Sequence, residues 1–209
     1  MAQEPRALRW PPEIEQELEQ SVGVSRKLLD SLESDDDWTF LIKMHGILEA
    51  GLNHLLLTRL SNPDLSRIVA FLPTNDQRTG KLAFIKAYKL LSEEACLFVR
   101  VLSEVRNRAV HDVKNFDLNL VEYVRQLDAN QRENWQIAMT SWDKNKPILA
   151  SIKRVTLTHP RVAILNSCMS IMFECLIQRR SSERAKEFLQ NLAREGLERL
   201  GCEESNPKE

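Results

Sequence analysis

The chain has 209 residues, and 29 lysine and arginine side chains stand against 30 aspartate and glutamate side chains. Its 43% hydrophobic residues exclude wholesale disorder, and its formal charge of -1 excludes a histone-like polycation. A chain of this length buries about 70% of the surface that it exposes when unfolded, so it needs no disulfide or metal to hold its fold. Only six glycines and eight prolines are present, which argues against a β-barrel or β-sandwich and favours an all-α fold.

The four cysteines stand at positions 96, 168, 175 and 202, without a C-x-x-C pair or a histidine at zinc-ligand spacing. We therefore expect no metal and no cofactor, and packed, reduced thiols at Cys168 and Cys175. The N-terminus lacks the apolar core of a signal peptide. The apolar stretch 162–177 is interrupted by polar residues such as Asn166 and Glu174, which predicts a buried helix rather than a membrane span. These features predict a cytoplasmic protein with no membrane partner.

The N-terminal region, residues 1–37, holds ten acidic side chains against four basic ones. Pro11 and Pro12 are followed by glutamates, a pattern that predicts a helix start, and this helix is expected to continue to about Leu32. The acidic run 34–37 offers capping residues for the next helix. We interpret residues 1–37 as an acidic helix and linker whose charges are solvated, in preference to a docking surface.

Apolar residues at three- and four-residue steps predict two long helices, 38–60 and 92–111. Between them the sequence predicts a short helix over 64–71, a polar turn-forming loop, and a longer helical segment from Gly80 to Leu91. Three lysines recur at helical spacing in that segment and predict a solvated face, although such a face could also follow a nucleic-acid backbone: Lys81, Lys86 and Lys89.

The C-terminal region, residues 128–209, is also predicted to be mostly helical. One helix is expected just before this region, over 115–127. Two more are expected within it, over 130–142 and 160–200, the last with an interruption at 179–182. Residues 153–158 alone have the character of a strand. Trp135 and Trp142 are seven apart, which favours helix core over a base-stacking platform.

The chemistry of the chain is concentrated in the run Arg106-Asn107-Arg108-Ala109-Val110-His111. Asn107 and His111 are four apart on the predicted helix and therefore share a face. An imidazole transfers protons near neutral pH, a guanidinium binds phosphate, and an amide can orient either. These groups suit metal-independent RNA cleavage, in which a base takes the 2′-hydroxyl proton and a cation stabilises the phosphorane. One histidine is few for both acid and base, so we expect a symmetric dimer to supply the second.

The pattern R-[N/D/H]-x-x-x-H near the end of a long helix resembles the R-x4-6-H signature of the HEPN superfamily. The helix that begins at Phe40 resembles the first core helix of HEPN-like domains. The order of this helix, the segment from Lys81 and the motif helix is similar to proteins of the mannitol operon repressor (MltR) type. The similarity covers about 38–124, and we assign 38–127 to a HEPN-like helical bundle carrying the motif. The residues before and after it become additional N- and C-terminal helices packed on that core.

The resemblance implies a metal-independent endoribonuclease of the toxin–antitoxin or defence kind, acting as a homodimer. Its substrate would be single-stranded or transfer RNA, and a protein inhibitor or antitoxin would be a further partner. Three residues take the family's catalytic positions: Arg106, Asn107 and His111. Four others are candidates for binding near them: Arg108, Asp112, His45 and Glu49.

Other interpretations of these residues stay open in the sequence. The resemblance also implies an alternative function, because MltR-type proteins are associated with transcriptional repression and would act as non-catalytic regulators or adaptors by dimerisation and partner binding. His111 could simply be a favourable charge at a helix C-terminus, and Arg106 could pair with Glu49 or Asp112. His45 and Glu49 are four apart, and a surface position or a satisfied contact between helices is favoured over a catalytic role.

Overall fold

A computed structural model describes residues 12–111, 117–140 and 146–199 of the chain. The secondary structure of these ranges consists of α-helices and a 3-10 turn, without a strand, which confirms the all-α fold class. In chain order the described helices are α1 (Pro12–Val22), α2 (Arg26–Ser31), α3 (Asp37–Leu60), α4 (Ser66–Phe71), α5 (Lys81–Ala87), α6 (Glu93–His111), α7 (Leu120–Arg125), α8 (Ala129–Ala138), α9 (Lys146–Thr158) and α10 (Pro160–Arg199), with a 3-10 turn at Pro63–Leu65.

The centre of the bundle is the contact between α3 and α10, which run parallel to each other. At their first turns, Arg161 donates to the Asp37 carboxylate at 3.0 Å. Further along, Met172 crosses α3 at Gly51, where a Cβ atom would stand 2.3 Å from the Met172 sulfur. Gly51 has no side chain at this contact, and an added Cβ atom would require the flexible end of Met172 to move.

The two long helices predicted from leucine spacing, α3 and α6, are confirmed. Asp36 caps α3 by accepting from the Thr39 N–H at 2.9 Å. At the other end, Ser61 takes a left-handed conformation with φ 53° and its N–H donates to the Leu57 carbonyl. The core faces of both helices are buried.

The N-terminal helix is not continuous to Leu32 as the sequence led us to expect. α1 ends at Val22, and Gly23 follows with φ +73°, a conformation that glycine adopts without a steric cost. Ser25 then caps α2 by accepting from the Leu28 N–H at 3.3 Å. The prediction failed because it gave no weight to a glycine that ends the first helix.

The segment from Gly80 to Leu91 is also shorter as a helix than predicted. α5 stops at Ala87, and Lys89 adopts φ 52°. The Leu90 N–H then donates to the Ile85 carbonyl at 2.9 Å, which is the bond of a Schellman-type helix end. The expectation of a solvated lysine face holds for Lys86 and Lys89 but is wrong for Lys81, which is fully buried.

The predicted strand at 153–158 is wrong, because these residues form the second half of α9. Thr156 is β-branched, which favours a strand, but within α9 its hydroxyl donates to the Lys153 carbonyl at 2.8 Å. Trp135 fixes the segment by donating its indole N–H to the Thr156 carbonyl at 3.0 Å. The indole is buried, so its predicted place in the core is confirmed, whereas Trp142 lies outside the described residues.

Three other predicted boundaries also change. α8 stops at Ala138 rather than at residue 142. α7 begins at Leu120, after Asn119 caps it by accepting from the Glu122 N–H at 2.9 Å, so residues 117–119 are not part of the predicted helix, and its predicted start at residue 115 lies outside the described residues. α10 passes through 179–182 without a break, and an i,i+4 ion pair between Arg179 and Glu183 at 2.7 Å bridges that stretch.

Part of α10, Pro160–Ala185, is long and apolar enough to cross a membrane by length and composition alone. In this fold 56% of an 18-residue apolar stretch of that segment is buried inside the protein. Cys168 and Cys175 lie within this segment as buried free thiols, as predicted. Cys96, on α6, is also a buried free thiol. The segment therefore behaves here as the core helix that its interrupted pattern predicted.

Candidate functional site

The start of α3 holds the end of α6, which carries the predicted motif. The indole N–H of Trp38 donates to the Ala109 carbonyl at 3.2 Å. Asp37 accepts from the Leu120 N–H at 2.7 Å and so ties the first turn of α7 to the same point. Because His45, further along α3, meets Ser103, earlier on α6, the two helices run antiparallel.

Arg106 and Asn107 are joined directly. The Arg106 guanidinium donates to the Asn107 side-chain oxygen at 3.1 Å, and both side chains are half-buried. Within the described residues no carboxylate pairs with Arg106. The ion pair between Arg106 and Glu49 that the sequence allowed is therefore absent from this part of the chain, and Asp112 lies outside the described residues.

His111 is the last residue of α6 and is exposed. Residues on an α-helix turn by about 100° each, so Asn107 and His111 point about 40° apart, whereas Arg106 and His111 diverge by about 140°. The bond to Asn107 draws the Arg106 guanidinium towards the outer face of the helix. The result is a polar strip of Arg106, Asn107 and His111, which we call the α6 strip.

Arg108, a candidate for binding, contacts the neighbouring helix. Its guanidinium stands over the Tyr123 ring with 5.5 Å to the centroid, which is the geometry of a cation–π contact. Burial raises the pKa of the Tyr123 hydroxyl. The contact connects α6 with α7, so Arg108 holds the helix that follows the α6 strip.

His45 lies in the interface between α3 and α6 and is only 8% exposed. Its Nε2 atom stands 3.2 Å from the Ser103 hydroxyl oxygen, and that hydroxyl donates to the Val99 carbonyl at 2.8 Å. This arrangement assigns the proton to Nε2, which donates to Ser103. Burial lowers the pKa of His45, the positive charges of Arg106 and Lys81 lower it further, and Glu49 opposes them. The satisfied contact between helices that the sequence favoured for His45 is confirmed.

Glu49 is one turn further along α3 and pairs with the buried Lys81 of α5. The Lys81 ammonium is 2.5 Å from Glu49 Oε1 and also approaches the Ala70 carbonyl at 3.4 Å. The Thr74 hydroxyl donates to the same carboxylate oxygen at 2.8 Å. Burial alone would raise the pKa of Glu49, but the hydrogen bonds from Lys81 and Thr74 outweigh it and leave the pKa lowered.

Lys81 is the polar residue of this region that we assigned wrongly from the sequence. A signal was present, because Lys81 stands four residues before Ile85 and so shares the apolar face of α5. A lysine on an apolar stripe is buried only when it is paired, and the sequence does not show which of the many carboxylates pairs with it.

The polar residues therefore form two groups. His45, Ser103, Glu49 and Lys81 make an internal cluster, and the α6 strip lies at the end of the same helix pair. The two groups interact through Arg106, because burial and then the positive charge of Arg106 lower the pKa of His45. In the ranges that the structure describes, no group of three histidine, cysteine, aspartate or glutamate side chains is placed to hold a metal ion.

Comparison with known proteins gives no relative for this chain: no family, no characterised protein and no solved structure matches it significantly. The interpretation of the α6 strip therefore depends on its chemistry and on the motif.

Proposed function

We propose that this chain is a metal-independent endoribonuclease whose active site is formed by the α6 strips of two copies. The observation that carries the proposal is the bond from Arg106 to Asn107, which holds a guanidinium, paired with no carboxylate among the described residues, beside the face that ends in the exposed His111. A guanidinium in this state can bind an RNA phosphate. The resemblance of this strip to the R-x4-6-H motif supports the same reaction.

The reaction needs only protons and one cation from the protein. His111 of one copy takes the proton of the 2′-hydroxyl, and the 2′-oxygen forms a bond to the adjacent phosphorus. The bond from phosphorus to the 5′-oxygen breaks, and a second imidazole gives a proton to that leaving oxygen. The products are a 2′,3′-cyclic phosphate and a 5′-hydroxyl, and Arg106 stabilises the charge on the phosphorane between them.

A dimer solves the geometric problem of a single chain. The helix positions of Arg106 and His111 are about 140° apart around α6, and the bond to Asn107 fixes the guanidinium one turn before the imidazole, so one copy does not bring both groups onto one phosphate. Two helix ends related by a two-fold axis can bring the His111 of each copy towards the Arg106 of the other. Such an enzyme would be harmful unless controlled, which agrees with a toxin or defence protein held by a protein inhibitor.

Expression in a bacterial host tests this proposal in the cell. We expect the wild-type chain to arrest growth and His111→Ala to relieve the arrest. His159→Ala is the matched control, because His159 is also an exposed histidine at a helix boundary and should leave the toxicity intact. Equal growth with wild-type protein and with His111→Ala, at equal protein levels, would count against the nuclease.

The divergence of Arg106 and His111 also favours a second candidate function. A strip that does not converge suits a non-catalytic regulator of the MltR type, in which the same helix end contacts a partner. In that case His111→Ala and Arg106→Ala would change the mass of the complex measured by sedimentation, and RNA would stay intact with every variant.

A further inference from the structure

The helices α4 and α5 carry large apolar side chains that the fold leaves exposed. Phe71 is 89% exposed and Ile68, one turn earlier on α4, is 60% exposed. On α5 and at its C-terminal cap, Phe84 is 39% and Tyr88 is 42% exposed. Single exposed apolar residues are ordinary, but several on two consecutive short helices mark an interaction site. We call this region the α4–α5 surface.

The same region carries exposed cations that form no ion pair in the described part of the chain, although Arg78 interacts electrostatically with the Asp76 carboxylate. Five basic residues in and beside the two helices make no ion pair within the described part of the chain: Arg59, Arg67, Arg78, Lys86 and Lys89. Other surface arginines do pair, for example Arg125 with Glu122 at 3.5 Å and Arg180 with Glu17. Unpaired cations beside exposed rings fit an anionic ligand with flat apolar parts.

The two helices are held in place, so these side chains stand on a fixed framework. The buried Lys81 ammonium at the start of α5 reaches both Glu49 on α3 and the Ala70 carbonyl on α4. At the other end of α5, the Arg59 guanidinium of α3 covers the Tyr88 ring with 5.3 Å to its centroid. Both ends of α5 are thus anchored to the C-terminal half of α3.

We infer that the α4–α5 surface binds single-stranded RNA and is a docking site separate from the α6 strip. The inference rests on the proposed function, since the RNA bound at this surface would be the substrate of the nuclease. Single-stranded nucleic acids bind proteins through bases stacked on aromatic rings and phosphates paired with lysine and arginine. Phe71, Phe84 and the exposed part of Tyr88 supply the rings. The five cations without an ion pair in the described residues lie on the same and adjoining elements, and one of them, Arg59, already contacts Tyr88.

The composition of the surface favours RNA over an anionic membrane. On this surface Phe71 and Ile68 are the apolar side chains that are more than half exposed, and even a full acyl chain, which is much larger, anchors a protein only marginally. The rings of Phe84 and Tyr88 are partly covered and held in place, which suits stacking against a flat base. RNA uses all the rings and the cations, whereas a membrane would use chiefly the cations and two side chains.

The docking site lies away from the α6 strip. Arg59 stands near the end of α3, and Trp38, which contacts the α6 end, stands at its start. Arg59 is 21 positions after Trp38, which corresponds to about 30 Å of helix. An RNA strand would therefore have to extend along the protein to reach both places, which favours an unpaired strand as substrate.

Binding can be measured apart from cleavage with a fluorescent 2′-O-methyl oligoribonucleotide, because its blocked 2′-oxygen cannot attack phosphorus. We expect fluorescence anisotropy to show binding that weakens as salt increases, and weakens further by about tenfold in Phe71→Ala. Arg67→Glu combined with Arg78→Glu should lose binding almost completely. All these side chains are exposed, so the variants should keep the thermal unfolding of the parent protein.

The matched controls are Phe188→Ala, which removes another exposed phenylalanine, and Arg125→Glu, which reverses an exposed arginine on α7. Both should bind RNA like the parent protein. Equal affinity of Phe71→Ala and Phe188→Ala, or no binding by the parent, would overturn the inference. Binding to phosphatidylglycerol vesicles that depends on Phe71, without affinity for RNA, would also overturn it in favour of a membrane. His111→Ala should bind normally, so failed docking and failed catalysis give different results.

Discussion

At the scale of single residues, the burial of His45 links the stability of the protein to pH. Its pKa is lowered from 6.5 by burial and by Arg106 and Lys81, so the folded protein holds this imidazole neutral. A lowered pKa means that the unfolded chain binds the proton more readily. Full stability is therefore present above pH 6.5 and is lost as pH falls from there towards the lowered pKa. His54 acts in the same direction, because burial lowers its pKa as well.

We expect the midpoint of thermal unfolding to fall by several degrees between about pH 7.5 and about pH 5.5. His45→Gln, which keeps a donor towards Ser103, should remove part of this fall, and His111→Gln should remove none because His111 is exposed. Circular dichroism at each pH measures the effect. The same pH dependence in all three proteins would show that His45 is not the group responsible.

The ion pair between Lys81 and Glu49 is asymmetric, because Lys81 is fully buried and the Glu49 side chain is 37% exposed. Glu49→Met should lower the free energy of unfolding by about 3–5 kcal/mol, because it leaves an ammonium without a partner inside the protein. Lys81→Met should cost less, since water still reaches Glu49. The double variant should be more stable than Glu49→Met alone. Urea denaturation measures the three values, and equal losses in both single variants would contradict this description of the pair.

At the scale of elements, two glycines respond in opposite ways to the same substitution. A Cβ atom on Gly80 would lie 2.3 Å from the Pro73 carbonyl oxygen and 2.7 Å from that of Asp76, whereas one on Gly46 would meet nothing within 4 Å. Gly80→Ala should destabilise the protein, because backbone must move. Gly46→Ala, on the exposed side of α3, should stabilise it by about 1 kcal/mol. Denaturation midpoints that shift in the same direction would refute this prediction.

The elements that sequence reasoning predicted well are the ones with a long apolar stripe. α3 and α6 have such stripes, and their ends coincide closely with the predicted ones. The predictions failed where a single residue or a tertiary contact decides the structure. Lys89 ends α5 through a left-handed conformation that lysine rarely takes, and residues 153–158 become helical although their β-branched side chains suggest a strand.

At the scale of the whole molecule, the thiols report on the integrity of the core. Burial raises the pKa of Cys96 to about 11 and of Cys175 to about 12, and raises that of Cys168 as well. Because the thiolate is the reactive form, iodoacetamide at about pH 8 should leave all three unmodified in the folded protein and modify them in urea. Mass spectrometry of the peptides locates the label. Rapid labelling of Cys168 without denaturant would show that α10 does not pack on α3 as described.

The candidate site was predictable only in part. Sequence spacing places Asn107 and His111 on one face of a helix, and it selects Arg106 beside them. It does not reveal that Arg106 bonds to Asn107 or that Lys81 takes Glu49 as its partner, because both depend on how side chains and separate helices meet. The arrangement of two α6 strips depends on an interface between chains, which no periodicity within one chain encodes.

The most direct test of the central claim is incubation of the purified protein with labelled single-stranded and transfer RNA in excess EDTA. We predict cleavage that leaves 2′,3′-cyclic phosphate ends and that falls at least a hundredfold in His111→Ala and in Arg106→Ala. Arg100→Ala is the control, because Arg100 lies on the same helix and should retain activity. RNA that stays intact at every protein concentration, or cleavage that both site variants retain, would contradict the proposed nuclease.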